Sequence, residues 1–180
     1  GSFGHIASTS FFPAKPLGCY GDGGAIFTDD EELAEIMRSV RIHGSGTDKY
    51  ENVRIGINGR LDTFQAAVSL EKLSIFDDEL RLRNEVANYY SSNINDNLIM
   101  PFIPKNYTSS WAQYSILART ESERAGIMSA LNQLNIPSMV YYKRPLHLQT
   151  VFEGLGYEKG DFKISERVSK QIFSIPMHPY

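Results

Sequence analysis

Four side chains in this sequence have the types and the spacing to hold a phosphorylated aldehyde. Lys15 lies five residues after Ser10. A lysine amine can form an imine with an aldehyde, and a serine hydroxyl can donate a hydrogen bond to a phosphate. Further along the chain, Asn58 can donate through its amide, and Arg60 can pair with a carboxylate or a phosphate through two N–H groups. Together these groups predict a site for a cofactor of that class.

Lys15 also has a simpler interpretation, as an ordinary surface lysine. Prolines 13 and 16 restrict the backbone on both sides of it. Glycines 18, 21, 23 and 24 follow, and glycine permits positive φ and the close approach of another group. On frequency alone an exposed lysine in a β-turn is the commoner case, whereas a desolvated lysine could form an imine. Composition does not separate the two, so the surrounding motifs must.

The composition indicates a globular protein and excludes several function classes. Of the 180 residues, 42% are hydrophobic and 22% charged, and the net charge of −3 gives no electrostatic argument for nucleic acid or an anionic membrane as partner. The single cysteine, Cys19, excludes an internal disulfide and a cysteine-cluster zinc site. The histidines lack metal-ligand spacing, so no metal is predicted. Without a signal peptide or an apolar run of membrane-spanning length, the sequence favours the cytoplasm.

Both ends of the sequence look cut. The chain begins directly with an apolar segment and has no initiator methionine. It stops at residues 175–180 without a terminal helix or a polar tail. We therefore expect a fragment of a longer protein.

Hydrophobic patterning places Lys15 between two strands that precede a helix. Residues 6–12 and 25–28 read as strands. Apolar residues at helical spacing after an acidic start predict a helix over residues 30–42. His43 follows it, either as a helix-end histidine near the last carbonyls or as a site residue.

The segment that carries Asn58 is predicted as a short strand or hairpin arm. Its apolar residues alternate over residues 53–57. The sequence from Asp62 to Gln65 matches a capping box, with aspartate in the cap position and glutamine three residues later. A helix is therefore predicted over residues 63–73.

The remainder of the chain predicts a long helix followed by a small β-α-β unit. We expect a domain boundary near the long helix, with domains at residues 1–75 and 76–180. The predicted elements, in order, are a helix at 75–94, a strand at 112–118, a helix at 121–134, a strand at 137–142, a polar-aromatic loop at 141–149, a turn region at 154–161 and an amphipathic helix at 164–173.

Four motifs, in order along the chain, resemble those of the DegT/DnrJ/EryC1/StrS sugar aminotransferases. Residues 10–28 resemble the cofactor-lysine motif, Ser-Phe-Phe-Pro-x-Lys-x-Leu-Gly-x-x-Gly-Asp-Gly-Gly-Ala followed by Thr. Residues 41–44 resemble its x-His-Gly, and residues 56–67 its Gly-x-Asn-x-Arg-hydrophobic…Gln-Ala-Ala. Residues 145–149 resemble its Pro-Leu-His-x-Gln.

The resemblance implies an α/β fold, namely the C-terminal part of a pyridoxal phosphate (PLP) fold-type-I aminotransferase. Residues 1–75 would be the remainder of the large PLP-binding domain, with the end of its sheet. Residues 76–180 would be an interdomain helix and a small C-terminal α/β domain. The implied reaction moves an amino group from glutamate to a nucleotide-linked keto sugar for surface polysaccharide synthesis. The transaminases of acetamido-hexuronate sugars in O-antigen biosynthesis are the most similar branch.

By motif position, the resemblance also implies a role for each candidate residue. Lys15 would carry PLP and then move the proton, and Ser10 would bind the cofactor phosphate. Asn58 would reach the phosphate in the partner subunit's site, because this family shares its active sites across a homodimer. Tyr141 stands where relatives often carry histidine, which leaves the sugar open. The implied substrate-binding residues are Arg60, Tyr141, Tyr142 and His147.

Two alternatives remain open beside the aminotransferase. A PLP-dependent sugar dehydratase of the same family would carry histidine in place of Lys15, so the lysine argues against it. A non-catalytic binding or regulatory derivative of the fold is disfavoured by the retention of Lys15, Ser10 and Asn58. In this family the acidic partner of the pyridinium nitrogen lies before the position of Gly1. We therefore expect the 180-residue piece to be inactive alone.

Overall fold

The computed structural model describes residues 3–48 and 50–180. The chain folds as two compact units, Gly1–Asp77 and Asp78–Tyr180. Each unit has its own antiparallel pair of strands. Within the described residues, no helix combines the length and apolar character needed to cross a membrane.

The first unit begins with an antiparallel hairpin. Strand β1 (Ala7–Ser10) pairs with β2 (Gly24–Phe27), and Ser10 lies opposite Gly24. A Cβ atom on Gly24 would lie 2.7 Å from the Thr9 carbonyl oxygen, so only glycine fits at this point of the ladder. Both predicted strands are confirmed. The first is shorter than predicted, because the backbone leaves the ladder to form the loop that carries Lys15, and the second has the predicted length but begins one residue earlier.

Helix α1 (Glu31–Arg41) confirms the prediction for that segment. The side chain of Asp30 accepts a hydrogen bond from the Leu33 N–H at 3.0 Å, which satisfies one of the free donors at the helix start. Acidic residues lie in its first turn and basic residues in its last, as the helix dipole favours.

The predicted strand at residues 53–57 is wrong. In the described part of this region, pairing is limited to two isolated bridges, Ile42 with Asn58 and Ser45 with Asn52. The segment instead packs its backbone against the end of α1, where the Ile57 N–H donates to the Val40 carbonyl at 2.8 Å. Apolar alternation alone cannot show that the hydrogen-bond partners are helix-end carbonyls.

Helix α2 (Thr63–Ser74) forms as predicted, but the capping box is wrong. Asp62 occupies the cap position without a capping hydrogen bond from its side chain. Gln65 is engaged elsewhere, since its Oε1 accepts from the Tyr20 N–H at 2.8 Å. The glutamine therefore connects the Tyr20 loop to α2, and its side-chain oxygen bonds to that loop rather than to the start of its own helix.

In the second unit, the last strand begins within the segment 164–173 that was predicted as a helix. Helix α3 (Phe76–Asn93) leads into this unit, followed by β3 (Tyr114–Leu117) and helix α4 (Glu121–Gln133). Two short 3₁₀ turns, Leu146–Leu148 and Thr150–Leu155, then precede helix α5 (Lys163–Gln171) and strand β4 (Ile172–Ile175).

The predicted β-α-β order is therefore wrong. Strand β3 pairs with β4 in antiparallel fashion, with Tyr114 opposite Ile175. The predicted strand at 137–142 is reduced to one bridge, between Met139 and Ser174. Ile172 and Phe173 continue the apolar spacing of α5, so periodicity assigns them to the helix although they begin a strand.

The core of the second unit connects α3 to this sheet. Tyr114 is fully buried, and its ring lies against Trp111 and Tyr90 with centroid distances of 5.4 and 5.1 Å. The Trp111 indole N–H donates to Asn84 Oδ1 at 2.9 Å, so this buried polar atom has a partner. The buried apolar residues are Ala87, Trp111, Tyr114, Ile116, Ala118, Val140 and Phe173.

Candidate cofactor and substrate sites

The loop that carries Lys15 is closed by backbone hydrogen bonds. The Lys15 N–H donates to the Phe12 carbonyl, and the Cys19 N–H donates to the Phe11 carbonyl, each at 2.8 Å. The Phe11 N–H in turn donates to the Gly23 carbonyl at 2.8 Å, where the loop joins the hairpin. The lysine side chain is exposed. The hydrogen-bonded backbone of the loop therefore holds Lys15 with its side chain in solvent.

Cys19 seals the base of this loop. Its side chain is fully buried, and Sγ lies 3.1 Å from the Phe11 carbonyl oxygen and 3.0 Å from that of Gly21. The single S–H can donate to one of these oxygens at a time. The sequence predicted no role for this residue beyond the absence of a disulfide and of a cysteine-cluster zinc site.

Two glycines are required by the space available in the loop. A Cβ on Gly18 would lie 2.7 Å from the carbonyl oxygens of both Phe12 and Pro13, and these are backbone atoms that cannot move aside cheaply. A Cβ on Gly23 would lie 2.9 Å from Cys19 Sγ. The glycine-rich sequence thus gives a tightly packed loop instead of a flexible one.

Ser10 ends strand β1 on the same hairpin as Lys15. Its side chain is exposed, and its Oγ accepts a hydrogen bond from the Phe12 N–H at 3.2 Å. The hydroxyl proton can therefore point to a ligand outside the protein. The hairpin holds this hydroxyl and the lysine amine on one packed segment.

Asn58 and Arg60 lie on the segment that packs against the end of α1. Both side chains are exposed, and the Gly59 N–H between them donates to the Arg41 carbonyl at 2.9 Å. Within residues 3–48 and 50–180, no hydrogen bond or ion pair joins either side chain to Ser10 or Lys15.

His43 lies just beyond the end of α1, in an uncommon backbone conformation. Its φ is +59°, and that of the following Gly44 is +75°. A Cβ on Gly44 would lie 1.8 Å from the Arg54 carbonyl oxygen. The His43 N–H donates to the Ile57 carbonyl at 3.0 Å, which holds the Asn58 segment against the helix end. These are backbone contacts, so the choice between a helix-end role and a site role for the His43 side chain stays a prediction.

Tyr141 and Tyr142 line a cavity of about 490 Å³ in the second unit. Arg144 also lines it, and the three side chains are exposed. The opposite walls come from strand β4 and from helix α5, which contributes Ser165 and Ser169. Aromatic rings, a guanidinium and hydroxyls can contact a ring system and an anion.

His147 is placed inside the second unit. Its side chain is only 7% exposed, and Nε2 lies 3.1 Å from Glu166 Oε1. The ring also packs on Phe162, with centroids 4.7 Å apart. Burial of this ring argues against direct contact with a substrate and indicates an internal role.

Glu166 accepts a second hydrogen bond on the same oxygen, from the Gly160 N–H at 2.7 Å. This bond holds the pKa of the Glu166 carboxyl below its usual value against the opposing effect of burial, and the His147 contact adds to the lowering. Glu166 was not predicted from the sequence, because its partners lie six and 19 residues away and no local spacing indicates them.

The profile of the DegT/DnrJ/EryC1/StrS aminotransferase family matches residues 1–180. The chain belongs to this family. The family resemblance carried by the four motifs is therefore confirmed.

Three relatives show how far the similarity extends. The chain is 42% identical over 176 residues to UDP-2-acetamido-2-deoxy-3-oxo-D-glucuronate aminotransferase of Pseudomonas aeruginosa, covering 97% of this chain and 47% of that protein. A crystal structure of a DegT DnrJ EryC1 StrS aminotransferase from Brucella abortus has 51% identity and a TM-score of 0.91, covering 99% of this chain and 47% of that one. NtdA from Bacillus subtilis, with bound cofactor PMP, has 27% identity and a TM-score of 0.85, covering 99% and 42%.

These comparisons confirm the expected fold class, the C-terminal part of a PLP fold-type-I aminotransferase. The chain spans about half the length of the relatives that it matches, and between 42% and 47% of the length of these three.

The residues of the Lys15 loop fit a phosphorylated aldehyde cofactor. An amine and a hydroxyl are both exposed on a loop whose glycines and buried thiol fix the backbone. The amine suits the carbonyl and the hydroxyl suits the phosphate. Lys15 and Ser10 can therefore contact two groups of such a cofactor, its carbonyl and its phosphate.

Proposed function

We propose that the protein containing this chain is a PLP-dependent nucleotide-sugar aminotransferase. It moves an amino group from glutamate to a nucleotide-linked keto sugar. The observation that carries this proposal is the exposed Lys15 on a packed loop beside Ser10, in a chain that belongs to an aminotransferase family along its whole length. The named reaction of the Pseudomonas relative supports a UDP-linked 3-oxo uronate as the substrate.

Lys15 has two roles in this proposal. Its amine holds the cofactor through the carbonyl carbon, and after release it takes and returns the proton that moves during transfer. Bound PLP supplies an electron sink for the carbon that carries the nitrogen. The turn that bonds the Lys15 N–H to the Phe12 carbonyl fixes the point from which the amine reaches.

Ser10 and Asn58 contact the cofactor phosphate in this scheme. The Ser10 hydroxyl lies on the Lys15 hairpin, whereas Asn58 lies on the segment that packs against the end of α1. We assign Asn58 to the site of the partner subunit, in a homodimer with shared sites. The absence of a hydrogen bond between Asn58 and the Lys15 loop in the described residues is compatible with this assignment.

Substrate contacts fall to Arg60 and to the tyrosines of the second unit. Arg60 provides a guanidinium for a carboxylate or a phosphate. Tyr141 and Tyr142 offer aromatic faces and hydroxyls at the rim of the cavity. Residues 1–75 then serve as the remainder of the cofactor domain, and residues 76–180 as the interdomain helix and small domain. We place the enzyme in the cytoplasm, supplying an amino sugar for surface polysaccharide such as O-antigen.

The test is amino transfer by the whole protein with PLP, glutamate and UDP-2-acetamido-2-deoxy-3-oxo-D-glucuronate. The amino-sugar product is followed by mass spectrometry. We expect turnover in the natural protein and in Lys105→Ala, an exposed lysine in the second unit. Lys15→Ala should lose turnover by several orders of magnitude, together with the imine absorbance. Comparable turnover in Lys15→Ala would contradict the proposal.

A further inference from the structure

The exposed stretch 141–144 is anchored at its N-terminal end by strand β4. The Met139 N–H donates to the Ser174 carbonyl at 3.0 Å, and the Ser174 N–H donates back to the Met139 carbonyl at 2.8 Å. Val140, the next residue, is 7% exposed and belongs to the core. The chain therefore leaves a fixed point immediately before Tyr141.

At its C-terminal end the same stretch enters the 3₁₀ turn Leu146–Leu148. The Leu148 N–H donates to the Pro145 carbonyl at 3.1 Å. The Gln149 side chain also donates to the Arg144 carbonyl at 3.2 Å. This turn is short, so its position depends on what holds it to the rest of the unit.

The turn is held by the buried contact between His147 and Glu166. Their side chains are 7% and 14% exposed, and the atoms Nε2 and Oε1 are 3.1 Å apart. The same Oε1 binds the Gly160 N–H at 2.7 Å. One carboxylate oxygen thus connects the turn of His147, the turn before α5 and α5 itself.

Aromatic packing covers this connection. The Phe162 ring lies 4.7 Å from the His147 ring, and the Tyr157 ring lies 5.2 Å from that of Phe162 in an edge-on arrangement. Water is therefore partly excluded from the His147–Glu166 contact, which strengthens a charge-assisted hydrogen bond relative to an exposed one.

Between the two anchors, the chain exposes two aromatic and two cationic side chains. Tyr141 is 54% and Tyr142 is 77% exposed, and Lys143 and Arg144 follow them. Three of the four line the cavity of about 490 Å³. Tyrosine faces and a guanidinium suit a ligand that combines rings with an anionic group.

We propose that Glu166 is a positioning residue for substrate binding. Through His147 it fixes the turn at residues 146–148, and so holds Tyr141 and Tyr142 in the arrangement that binds the nucleotide sugar. This inference rests on the function proposed above. Glu166 acts through His147 and the turn, and takes no part in the chemistry at Lys15.

The test compares Glu166→Ala and Glu166→Gln in the whole protein. Arg167→Ala serves as the control, because Arg167 is exposed on the same helix. With UDP-2-acetamido-2-deoxy-3-oxo-D-glucuronate as the probe, Glu166→Ala should raise the KM for the nucleotide sugar about tenfold. The kcat at saturation and the KM for glutamate should stay within about twofold of the unmodified protein, because the chemistry at Lys15 is untouched. Glu166→Gln keeps an acceptor for the Gly160 N–H and should restore most of the affinity.

A second measurement does not require turnover. Hydrogen exchange of the amides in residues 144–149 should become faster in Glu166→Ala than in Arg167→Ala. An unchanged KM for the nucleotide sugar together with unchanged exchange would overturn the proposal. A second outcome would also overturn the proposal. If Glu166→Ala lowers kcat, raises the KM for both substrates by similar factors and lowers the melting temperature, and Glu166→Gln restores none of these, the role of Glu166 is merely structural.

The two proposals can fail separately. If the natural protein transfers no amino group, the proposed function fails, while the exchange experiment still tests whether Glu166 holds the turn. If turnover depends on Lys15 but Glu166→Ala binds the nucleotide sugar normally, the positioning role fails alone.

Discussion

Gln65 accepts a hydrogen bond from the Tyr20 backbone N–H at 2.8 Å and thereby ties the first turn of α2 to the loop that carries Lys15. A Cβ on Gly21 would lie 3.0 Å from the Gln65 side-chain nitrogen, so the amide also fits closely against the next residue. The cofactor loop is therefore supported from a helix that begins more than 40 residues later in the chain.

Replacing this glutamine should loosen the Lys15 loop. Gln65→Ala removes the acceptor for the Tyr20 N–H, and we expect a loss of about 1 kcal/mol in unfolding free energy. PLP retention in the whole protein should fall as well, measured by dialysis and absorbance. Gln65→Glu keeps an acceptor oxygen and should retain more of both. Gln133→Ala, exposed at the end of α4, is the control; an equal loss there would refute the effect.

Two glycines should respond in opposite directions to the same substitution. Gly18→Ala places a methyl 2.7 Å from two backbone oxygens, so we expect a destabilisation of about 1–3 kcal/mol from overpacking. Gly126→Ala adds a methyl in open space within α4 and should stabilise by about 0.5–1 kcal/mol, because alanine is the better helix former. Chemical denaturation of the two variants measures both values, and a neutral Gly18→Ala would show that the loop can relax.

Complementation between variants tests the shared site. Lys15→Ala removes the amine, and Asn58→Asp sets a negative charge where the proposal needs a phosphate contact, so each variant alone should have little activity. If Asn58 serves the partner's site, co-refolded mixtures should recover up to about a quarter of the natural activity, since half of the dimers are mixed and each holds one intact site. Activity that never exceeds the sum of the separate variants would place Asn58 in its own subunit's site.

The lowered pKa of Glu166 predicts an acid-sensitive contribution to stability. Its carboxyl has a usual pKa of 4.5 and a lower value in the folded chain. The contribution is therefore present above pH 4.5 and is lost as the pH falls through the folded value. Unfolding followed between pH 7 and pH 3 (on the order of the range that carboxylates titrate) should show a smaller decline in Glu166→Gln. Glu153→Gln, an exposed carboxylate, should leave the natural slope unchanged.

Local signals in the sequence predicted most helices and the loop that carries Lys15. Asp30 and the apolar spacing after it define α1 within one residue at each end, because capping and periodicity act between near neighbours. The glycines and prolines around Lys15 likewise predict a constrained turn, and the structure shows the carbonyl contacts that require Gly18.

Features that depend on distant partners were missed. Ile172 and Phe173 begin β4 because β3, more than 50 residues earlier, pairs with them. Gln65 fulfils the pattern of a capping residue, yet the Tyr20 N–H occupies its oxygen. Glu166 looks like any acidic residue on an amphipathic helix until the fold brings His147 to it. In each case a tertiary contact overrides or adds to what neighbouring residues indicate.

The sealed thiol of Cys19 gives the loop of Lys15 a built-in reporter. A side chain with 0% exposure cannot meet a thiol reagent unless the loop opens. The rate of its modification therefore reports how often the loop opens. A bound cofactor that stabilises the closed loop would slow this reaction, so the native thiol itself measures cofactor binding.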